Sequence, residues 1–257
     1  MYEITAIPYG YQYYPGPAVF YFRSWFEWVR LDFYFWLLKS EQHVVLVDTG
    51  MDQFYADKAN PAVIQAVGDE KVKLVVEVDP IAALAQHGVS AEDVDYIILS
   101  HMHLDHIACV PRFPRAVFIT SRHGLEWTLD PPYSQLVNPI FMPREILEFL
   151  RDEAGAGGRV MLTEDEAEPL PGIRTVRTGG HSECSQVILV QSGQGSVGFG
   201  VDNAMLYDHI EKGIAAGSPI DVIDAYRALD ILAAEADLIV PGHDPRVMER
   251  HSGGHIA

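Results

Sequence analysis

Residues 100–106 read Ser-His-Met-His-Leu-Asp-His and directly follow the apolar run 96–99, which predicts a buried strand. In an extended segment after that strand, His101 and His103 point to the same face, so two imidazoles can meet one metal ion. The turn that comes next can carry Asp105 and the next histidine to a second ion. A polar surface loop would explain one isolated histidine, but imidazole and carboxylate are the usual ligands of catalytic zinc, so this cluster predicts a metal centre.

The rest of the chain alternates short apolar runs with helix-length patterns. Runs of apolar, β-branched and aromatic residues predict strands at 2–7, 33–38, 44–47, 96–99, 116–119, 173–176, 187–190, 197–200 and 238–240. Helices are predicted at 80–86, 143–151 and 219–236. Because the early strands follow each other directly and the later ones alternate with helices, we expect a layered α+β or α/β fold, with two sheets in a sandwich and helices outside.

Three later loops each offer one further ligand. His181 follows Gly179-Gly180, Asp202 follows the predicted strand 197–200, and His243 lies in a Pro-Gly-His-Asp segment after the last predicted strand. Taken singly, each of these residues is more typical of a turn than of a metal site. Loops on a rigid scaffold are nevertheless where functional residues concentrate, and the three occur together after the histidine cluster. Their combination favours a shared site.

The order of these motifs resembles that of a known family. His-x-His-x-Asp-His, then Gly-His, Asp and Gly-His, follow Val47-Asp48-Thr49-Gly50, and this order spans nearly the whole chain. It looks like the metallo-β-lactamase superfamily of binuclear metal hydrolases. The resemblance implies an α+β fold of the αββα type, in which two mixed sheets pack face to face with helices outside. The length of the chain is that of one domain, so we expect a single domain over residues 1–257.

The resemblance also implies two divalent metal ions, of which zinc is the first expectation, although manganese, iron and cobalt accept the same ligands. By position in the motif, one ion would be held by His101, His103 and His181, the other by Asp105, His106 and His243, with Asp202 bridging them. Asp48 matches an aspartate that orients ligands in the superfamily. A turn-forming aspartate before Thr49-Gly50 is the other interpretation.

Within the superfamily, the segments 202–207 and 239–245 are similar to the N-acyl homoserine lactonase family. That likeness implies opening of a lactone or related ester by a hydroxide that bridges the ions, with Asp105 as the general acid for the leaving alkoxide. The family has a tyrosine three residues after the bridging aspartate, where this chain has Met205. Tyr207 is expected to take over as donor to the carbonyl oxygen. The alternative is a tyrosine packed on the neighbouring helix.

Two other functions stay open. A thioesterase of the glyoxalase II type would use the same metals, and an anionic thioester would favour basic residues near the site, for which Arg112, Arg115 and Arg122 are candidates. A binding or regulatory protein could keep the ligands without efficient turnover, since fold and ligands do not establish a substrate.

Composition limits the partners. The chain has 257 residues and a formal net charge of −18, which excludes most nucleic-acid binders and disfavours anionic membranes. No basic and apolar leader opens the sequence and no apolar run reaches about 18 residues, so we expect a cytoplasmic protein that acts on a small carbonyl substrate. Cys109 and Cys184 are too few for a disulfide scaffold and are expected to be small buried residues behind the ligands.

Aromatic residues concentrate near the N-terminus. Residues 9–36 contain fourteen of the chain's 27 tyrosines, phenylalanines and tryptophans. The predicted strand 33–38 accounts for some of them as core. For the segment 20–28 we expect either an apolar wall over the metals or a homodimer contact, with plain core packing as the alternative.

Overall fold

Two mixed β-sheets form the centre of the structure, a computed structural model that describes residues 1–257. The strands are β1 (Glu3–Pro15), β2 (Trp28–Lys39), β3 (Val44–Val47), β4 (Val75–Val76), β5 (Tyr96–Ile98), β6 (Val117–Ser121), β7 (Val160–Thr163), β8 (Glu166–Leu170), β9 (Ile173–Arg177), β10 (Gln186–Ser192), β11 (Gly195–Val201) and β12 (Leu238–Pro241). The first sheet has the order β4-β1-β2-β3-β5-β6-β7 and the second has the order β12-β11-β10-β9-β8.

Both sheets combine parallel and antiparallel pairs. In the seven-stranded sheet, β1, β2 and β3 pair antiparallel, whereas β3, β5, β6 and β7 run parallel. In the five-stranded sheet only β11 and β12 are parallel. Parallel neighbours end at the same edge of a sheet, so the loops after β3 and β5 in one sheet, and after β11 and β12 in the other, emerge together.

Helices connect the strands and cover the outer faces of the sheets. The α-helices are α1 (Gly16–Val19), α2 (Gln53–Val67), α3 (Pro80–Ala85), α4 (Leu104–Ile107), α5 (Arg122–Leu129), α6 (Arg144–Glu153), α7 (Tyr207–Lys212), α8 (Val222–Glu235) and α9 (Arg246–Arg250). Short 3₁₀ helices lie at Glu70–Val72, Ala91–Asp93, Val110–Arg112, Ser134–Leu136, Asp202–Ala204 and Ser252–Gly254. None of the helices has the length and apolar character needed to cross a membrane.

Side-chain alternation along the strands produces the layers. In β2, Trp36 and Leu38 point into the core between the sheets, where Trp36 packs on Phe199 of β11 with ring centroids 5.4 Å apart. Phe35 and Leu37 point the other way, into the core under the helices of the first sheet. Alternation with a period of two puts successive residues on opposite faces. Both faces of β2 are therefore buried, which explains its nearly continuous apolar sequence.

The α+β sandwich predicted from the sequence is confirmed: the two sheets lie between two outer layers of helices. All nine predicted strands are present, but β1 continues eight residues beyond its predicted end at residue 7. Pro8, Gly10 and Pro15 break the apolar pattern on which the prediction depends. The strand continues past Pro8 and Gly10 through an irregularity between these two residues and ends at Pro15. Gly10 is needed there, because a Cβ atom would lie 2.1 Å from the Val75 carbonyl oxygen.

Candidate metal centre

Seven predicted ligands converge at one edge of the sandwich. They come from the loops after four strands and from α4: His101 and His103 follow β5, Asp105 and His106 lie in α4, His181 follows β9, Asp202 follows β11 and His243 follows β12. Two groups of potential ligand atoms form there, each with its atoms within 4.8 Å of one another. These groups have the composition that the resemblance implied, with Asp202 in the group of three histidines.

The first group contains three imidazoles that face one point. The Nδ1 atom of His103 lies 3.0 Å from Nε2 of His101 and 2.8 Å from Nε2 of His181. The Ser100 hydroxyl donates to Asp48 and can therefore accept from Nδ1 of His101, which leaves a lone pair on Nε2 of the neutral His101 ring. A cation at the centre of the three nitrogens would be bound by such lone pairs.

Asp202 connects the two groups through its two oxygen atoms. Its Oδ1 lies 2.9 Å from Nε2 of His243 and 3.2 Å from Nε2 of His106. Its Oδ2 lies 3.3 Å from Nε2 of His181 and 3.8 Å from Nε2 of His101. One carboxylate therefore presents one oxygen to each group, which is the geometry of a bridging ligand.

Hydrogen bonds on the far sides of the rings support metal binding. His106 donates from Nδ1 to Asp48 at 2.8 Å, and His243 donates from Nδ1 to the Asp32 carbonyl oxygen at 2.9 Å. In a neutral imidazole this leaves a lone pair on Nε2. Nε2 of His106 is buried without a hydrogen-bond partner and faces Asp105 Oδ2 at 3.3 Å. A neutral His106 directs this lone pair at a carboxylate, and a cation between the two would be bound by both, so the residues present fit a metal ion.

Burial controls the charge of the ligands. It lowers the pKa of His101 well below its usual range, that of His103 to about 3, and that of His181 in the same direction. These three rings are neutral at physiological pH, the form in which imidazole binds metal. Burial also acts to lower the pKa of His106, but the carboxylates of Asp105, Asp202 and Asp48 outweigh it and raise that pKa. The second group thus attracts positive charge.

Asp48 holds ligands of both groups in orientation. Its Oδ1 accepts the backbone N–H of Ser100 at 2.8 Å, and its Oδ2 accepts the Ser100 hydroxyl at 2.7 Å as well as His106 Nδ1. The Ser100 hydroxyl lies 3.1 Å from Nδ1 of His101. Asp48 is fully buried and has a φ of 63°, a left-handed conformation that aspartate and asparagine adopt more readily than most residues. This geometry favours the ligand-orienting interpretation over a simple turn residue.

Asn203 was missed as a positioning residue by sequence reasoning. Its Oδ1 accepts the backbone N–H of His181 at 2.8 Å, and its Nδ2 donates to the Thr178 hydroxyl and to the Gly179 carbonyl oxygen. The amide therefore fixes the loop that carries His181. Its position next to Asp202 was the only signal available in the sequence.

Backbone strain accompanies the bridging aspartate. Val201, directly before Asp202, has a φ of 42° and a ψ of −118°, which is rare for a β-branched residue. Such a conformation costs about 1–3 kcal/mol and persists only where the surroundings impose it. Gly242 supplies part of that constraint, because a Cβ atom there would lie 2.7 Å from the Val201 carbonyl oxygen.

A cavity of about 260 Å³ opens onto the ligands. Five of the predicted ligands line it: His103, Asp105, His181, Asp202 and His243. Its apolar lining consists of Ala18, Leu31, Met51, Leu74, Leu104, Phe141 and Met205, and Gln12, Tyr14, Gly217 and Ser218 complete it. An apolar cavity with a few convergent polar groups is typical of a small-molecule site.

Tyr207, predicted to donate to the substrate, does not line this cavity. Its ring is buried between the sheets and α9, with the Arg250 guanidinium 3.8 Å from the ring centroid. Its hydroxyl lies 3.4 Å from Nε2 of His251. The backbone N–H of Tyr207 donates to Asp244 at 2.8 Å, which fixes the start of α7 and directs the ring away from the ligands. The structure thus places Tyr207 as the packing alternative expects, with its hydroxyl at His251 and outside the cavity lining.

Two other expectations also fail at the cavity. No residue of the segment 20–28 lines it, so the predicted apolar wall is wrong. Phe20 packs in a small core cluster, whereas Phe22, Trp25 and Phe26 are exposed. The arginines considered for an anionic thioester are also absent from the lining, and Arg112 instead pairs with Asp79.

The two cysteines are buried and free, as expected. Burial raises the pKa of the Cys109 thiol to about 12 and raises that of Cys184 as well. Helix α5 packs directly against Cys184 through Gly124. A Cβ atom at position 124 would lie only 2.8 Å from the Cys184 Cβ atom. Neither thiol belongs to the two groups of potential ligands.

A two-sheet sandwich with a His/Asp cluster at one edge is typical of a class of metal-binding proteins. Sequence comparison assigns this chain to one family of that class. The sequence profile of the metallo-beta-lactamase superfamily matches residues 34–243, and the chain belongs to that superfamily. It is similar to N-acyl homoserine lactonase AttM of Rhizobium radiobacter, with 29% identity over 177 residues, 65% of this chain and 64% of that protein. The matched region thus spans slightly less than two thirds of the length of AttM.

Other relatives cover more of the chain. N-acyl homoserine lactonase AiiA of Bacillus thuringiensis subsp. kurstaki is 25% identical over 221 residues, 84% of this chain and 82% of that protein. A crystal structure of a quorum-quenching N-acyl homoserine lactone lactonase superposes with a TM-score of 0.77 and 21% identity, covering 99% of this chain and 98% of that one. An N-acyl homoserine lactone hydrolase with N-hexanoyl-L-homoserine at its catalytic metal centre gives a TM-score of 0.76, 21% identity and coverage of 96% and 95%. These structural likenesses show the fold.

Proposed function

We propose that this protein is a metal-dependent hydrolase that opens a lactone or a related ester. The observation that carries the proposal is the position of Asp202, whose two oxygens face two separate groups of ligands at the bottom of an apolar cavity. The lactonases named above add support, since they are similar to this chain over most of its length.

The proposed site would hold two divalent ions, with zinc as the first candidate. His101, His103 and His181 would bind one ion, Asp105, His106 and His243 the other, and Asp202 both. Bound ions would polarise the substrate carbonyl and lower the pKa of water, which makes a hydroxide nucleophile available at neutral pH.

Asp105 would relay to the leaving alkoxide the proton that the attacking hydroxide brings into the tetrahedral adduct. It lines the cavity, and its Oδ2 lies 3.3 Å from His106 Nε2 and 3.8 Å from His243 Nε2. The Tyr9 hydroxyl donates to the Asp105 backbone carbonyl at 2.7 Å and anchors the turn. With its backbone anchored in this way, the Asp105 carboxylate would hold an ion through one oxygen and leave the other for the substrate.

The cavity favours an ester over an anionic thioester. No lysine or arginine lines it, so no fixed positive side chain would meet the carboxylates of a glutathione conjugate or the phosphates of coenzyme A. The apolar lining instead suits an acyl chain.

A hydrolysis screen tests the proposal. Protein loaded with zinc, and separately with manganese or cobalt, would be assayed on N-acyl homoserine lactones, on an aryl ester and on a glutathione thioester. We expect the highest kcat/KM on lactones and loss of turnover on chelation. Thioester hydrolysis that exceeds lactone hydrolysis would contradict the choice of substrate, and bound metal without any turnover would favour a binding protein.

Asp105→Asn tests the general acid. The amide keeps an oxygen for coordination but has no acidic proton, so metal content should stay substantial while kcat falls about 10²- to 10⁴-fold. The control is Asp230→Asn, an exposed residue of α8 on the outer face of the second sheet. An unchanged rate in Asp105→Asn would refute the assignment.

We also propose one domain over residues 1–257 and a homodimer formed through the N-terminal aromatic residues. Phe22, Trp25 and Phe26 are 71%, 61% and 100% exposed, which is unusual for large apolar side chains so close in sequence. Light scattering should give a dimer for the natural chain and a monomer for Trp25→Ser combined with Phe26→Ser. A monomeric natural chain would refute the dimer.

A further inference from the structure

The part of β1 that sequence analysis missed forms one wall of the cavity. Gln12 and Tyr14 lie two residues apart on this strand, so their side chains point to the same face. Both line the cavity, as does Leu31 of β2, which pairs directly with Gln12. Apart from the predicted ligands and Ser218, these two side chains are the polar ones in the lining.

The polar groups of this wall have no partners in the protein. The hydroxyls of Tyr9, Tyr34 and Tyr207 each have a hydrogen-bond partner, whereas the Tyr14 hydroxyl has none. Oε1 of Gln12 is shielded from solvent and is also unpaired. A shielded polar atom without a partner costs free energy, so a ligand that bonds to Gln12 Oε1 recovers this cost, while the Tyr14 hydroxyl is free to donate to the same ligand.

Tyr14 keeps its proton in this environment. Burial raises the pKa of its phenol to about 12, and the carboxylate of Asp105 adds to that effect. The hydroxyl is therefore a hydrogen-bond donor at any pH at which the protein works. Tyr14 and Asp105, the group proposed to protonate the leaving alkoxide, line the same cavity.

We propose that Tyr14 donates a hydrogen bond to the carbonyl oxygen of the ester that is cleaved, and that the Gln12 amide binds a second polar group of the same substrate. The inference rests on the proposed function and deepens it. The position three residues after Asp202 is Met205, which lines the cavity but has no donor, and the hydroxyl of Tyr207 lies at His251. Tyr14 is the one tyrosine in the lining, so β1 supplies the donor that the loop after β11 lacks.

Kinetics of Tyr14→Phe give the first test. The variant keeps the ring and loses only the hydroxyl, so we expect kcat on a lactone to fall about 10- to 100-fold, because a donor to a developing oxyanion is lost. Metal content should equal that of the natural protein. The matched control is Tyr13→Phe, whose residue pairs with Arg30 of β2 on the opposite face of β1 and does not line the cavity.

Calorimetric binding of a lactam gives a second readout that does not depend on turnover. The lactam analogue of the lactone keeps the ring carbonyl and resists hydrolysis, and Tyr14→Phe should bind it about 3- to 10-fold more weakly than the natural protein and Tyr13→Phe do. Gln12→Leu should weaken binding of an N-acylamino lactam more than that of the unsubstituted ring.

Lactone kinetics and lactam binding together distinguish failure of the proposed function from failure of the role of Tyr14. Absence of lactone turnover by the natural protein would overturn the proposed function, and absence of lactam binding would overturn the role of Tyr14 with it. Equal lactam binding and equal kcat in Tyr14→Phe and the natural protein would overturn the role of Tyr14 alone. Loss of turnover in Tyr207→Phe with retention in Tyr14→Phe would also overturn it.

Discussion

Replacement of Asp48 by asparagine tests how the buried network controls metal binding. Asp48 Oδ2 accepts two hydrogen bonds, at 2.7 Å from the Ser100 hydroxyl and 2.8 Å from His106 Nδ1, and Oδ1 accepts a third from the Ser100 N–H. Asparagine has the same shape and also adopts a positive φ, so the backbone at 63° is preserved. It has only one oxygen, however, so at least one of these donors then faces an NH₂ group.

Of the two donors at Oδ2, the Ser100 hydroxyl can rotate and accept from an NH₂ group, whereas His106 Nδ1–H cannot and loses its partner. If the amide oxygen stays with the Ser100 N–H, the NH₂ group faces His106 Nδ1, and the ring shifts its proton to Nε2, the atom required for the ion. Loss of a hydrogen bond to a charged, buried group costs about 1.5–3 kcal/mol. Loss of a partner behind a metal ligand costs about 10- to 100-fold in metal affinity, which corresponds to about 1.4–2.7 kcal/mol. The free energy of the lost hydrogen bond and the expected loss of metal-binding free energy are therefore of similar size.

Chelator competition on purified protein measures this affinity, and urea unfolding of the metal-free protein measures stability separately. The matched control is Asp95→Asn at the other end of β3, which removes a carboxylate charge while the amide oxygen can still accept the Val44 N–H. We expect metal affinity to fall in Asp48→Asn and to stay unchanged in Asp95→Asn. Metal affinity within twofold of the natural protein in Asp48→Asn would refute the reasoning.

Three further predictions concern the surroundings of the site. Asn203→Ala removes the partners of the His181 loop and should cost about 1–3 kcal/mol of unfolding free energy in urea together with some metal affinity; a fall in neither would contradict its positioning role. Burial lowers the pKa of His209 to about 4, so the unfolded chain binds the proton more readily and stability is lost as the pH falls from about 6.5 towards about 4. The unfolding free energy should fall by about 3 kcal/mol over this pH range because of His209. The natural protein and His209→Gln should therefore differ less in unfolding free energy at low pH than at neutral pH. A difference that does not change with pH would contradict this. Cys109 and Cys184 should resist a thiol reagent in the folded protein and react fully in denaturant, and rapid labelling of either in the native state would show that it is accessible.

Local patterns predicted the elements that hold most of the ligands. The strands β5, β9, β11 and β12 appear as apolar runs that end in turn residues, and ligands lie in the loops that follow them. The pattern was less informative for β1, because two prolines and a glycine interrupt it although pairing with β2 continues to Pro15. That extension brings Gln12 and Tyr14 into the cavity. The helix α2 was also missed, since its apolar positions alternate with polar ones and Pro61 lies inside it.

Tyr207 shows why distance along the chain does not decide a role. It lies five residues after Asp202, closer in sequence than Tyr14, yet its hydroxyl lies at His251 and not in the cavity. The direction of α7 depends on a hydrogen bond to Asp244, which is 37 residues further along the chain. No local pattern contains that information.

Residue types and their spacing were enough to identify the side chains that could bind metal, because residue type sets the donor atom and spacing along a strand or turn sets the face it shares. His101 and His103 could be paired in this way from the strand pattern alone. The packing of the two sheets, in contrast, brings those groups to one point, with Asp202 from one sheet 3.2 Å from His106 at the edge of the other. It also determines which tyrosine lines the cavity. Backbone geometry fixes local spacing, whereas contacts between distant segments depend on how whole layers pack.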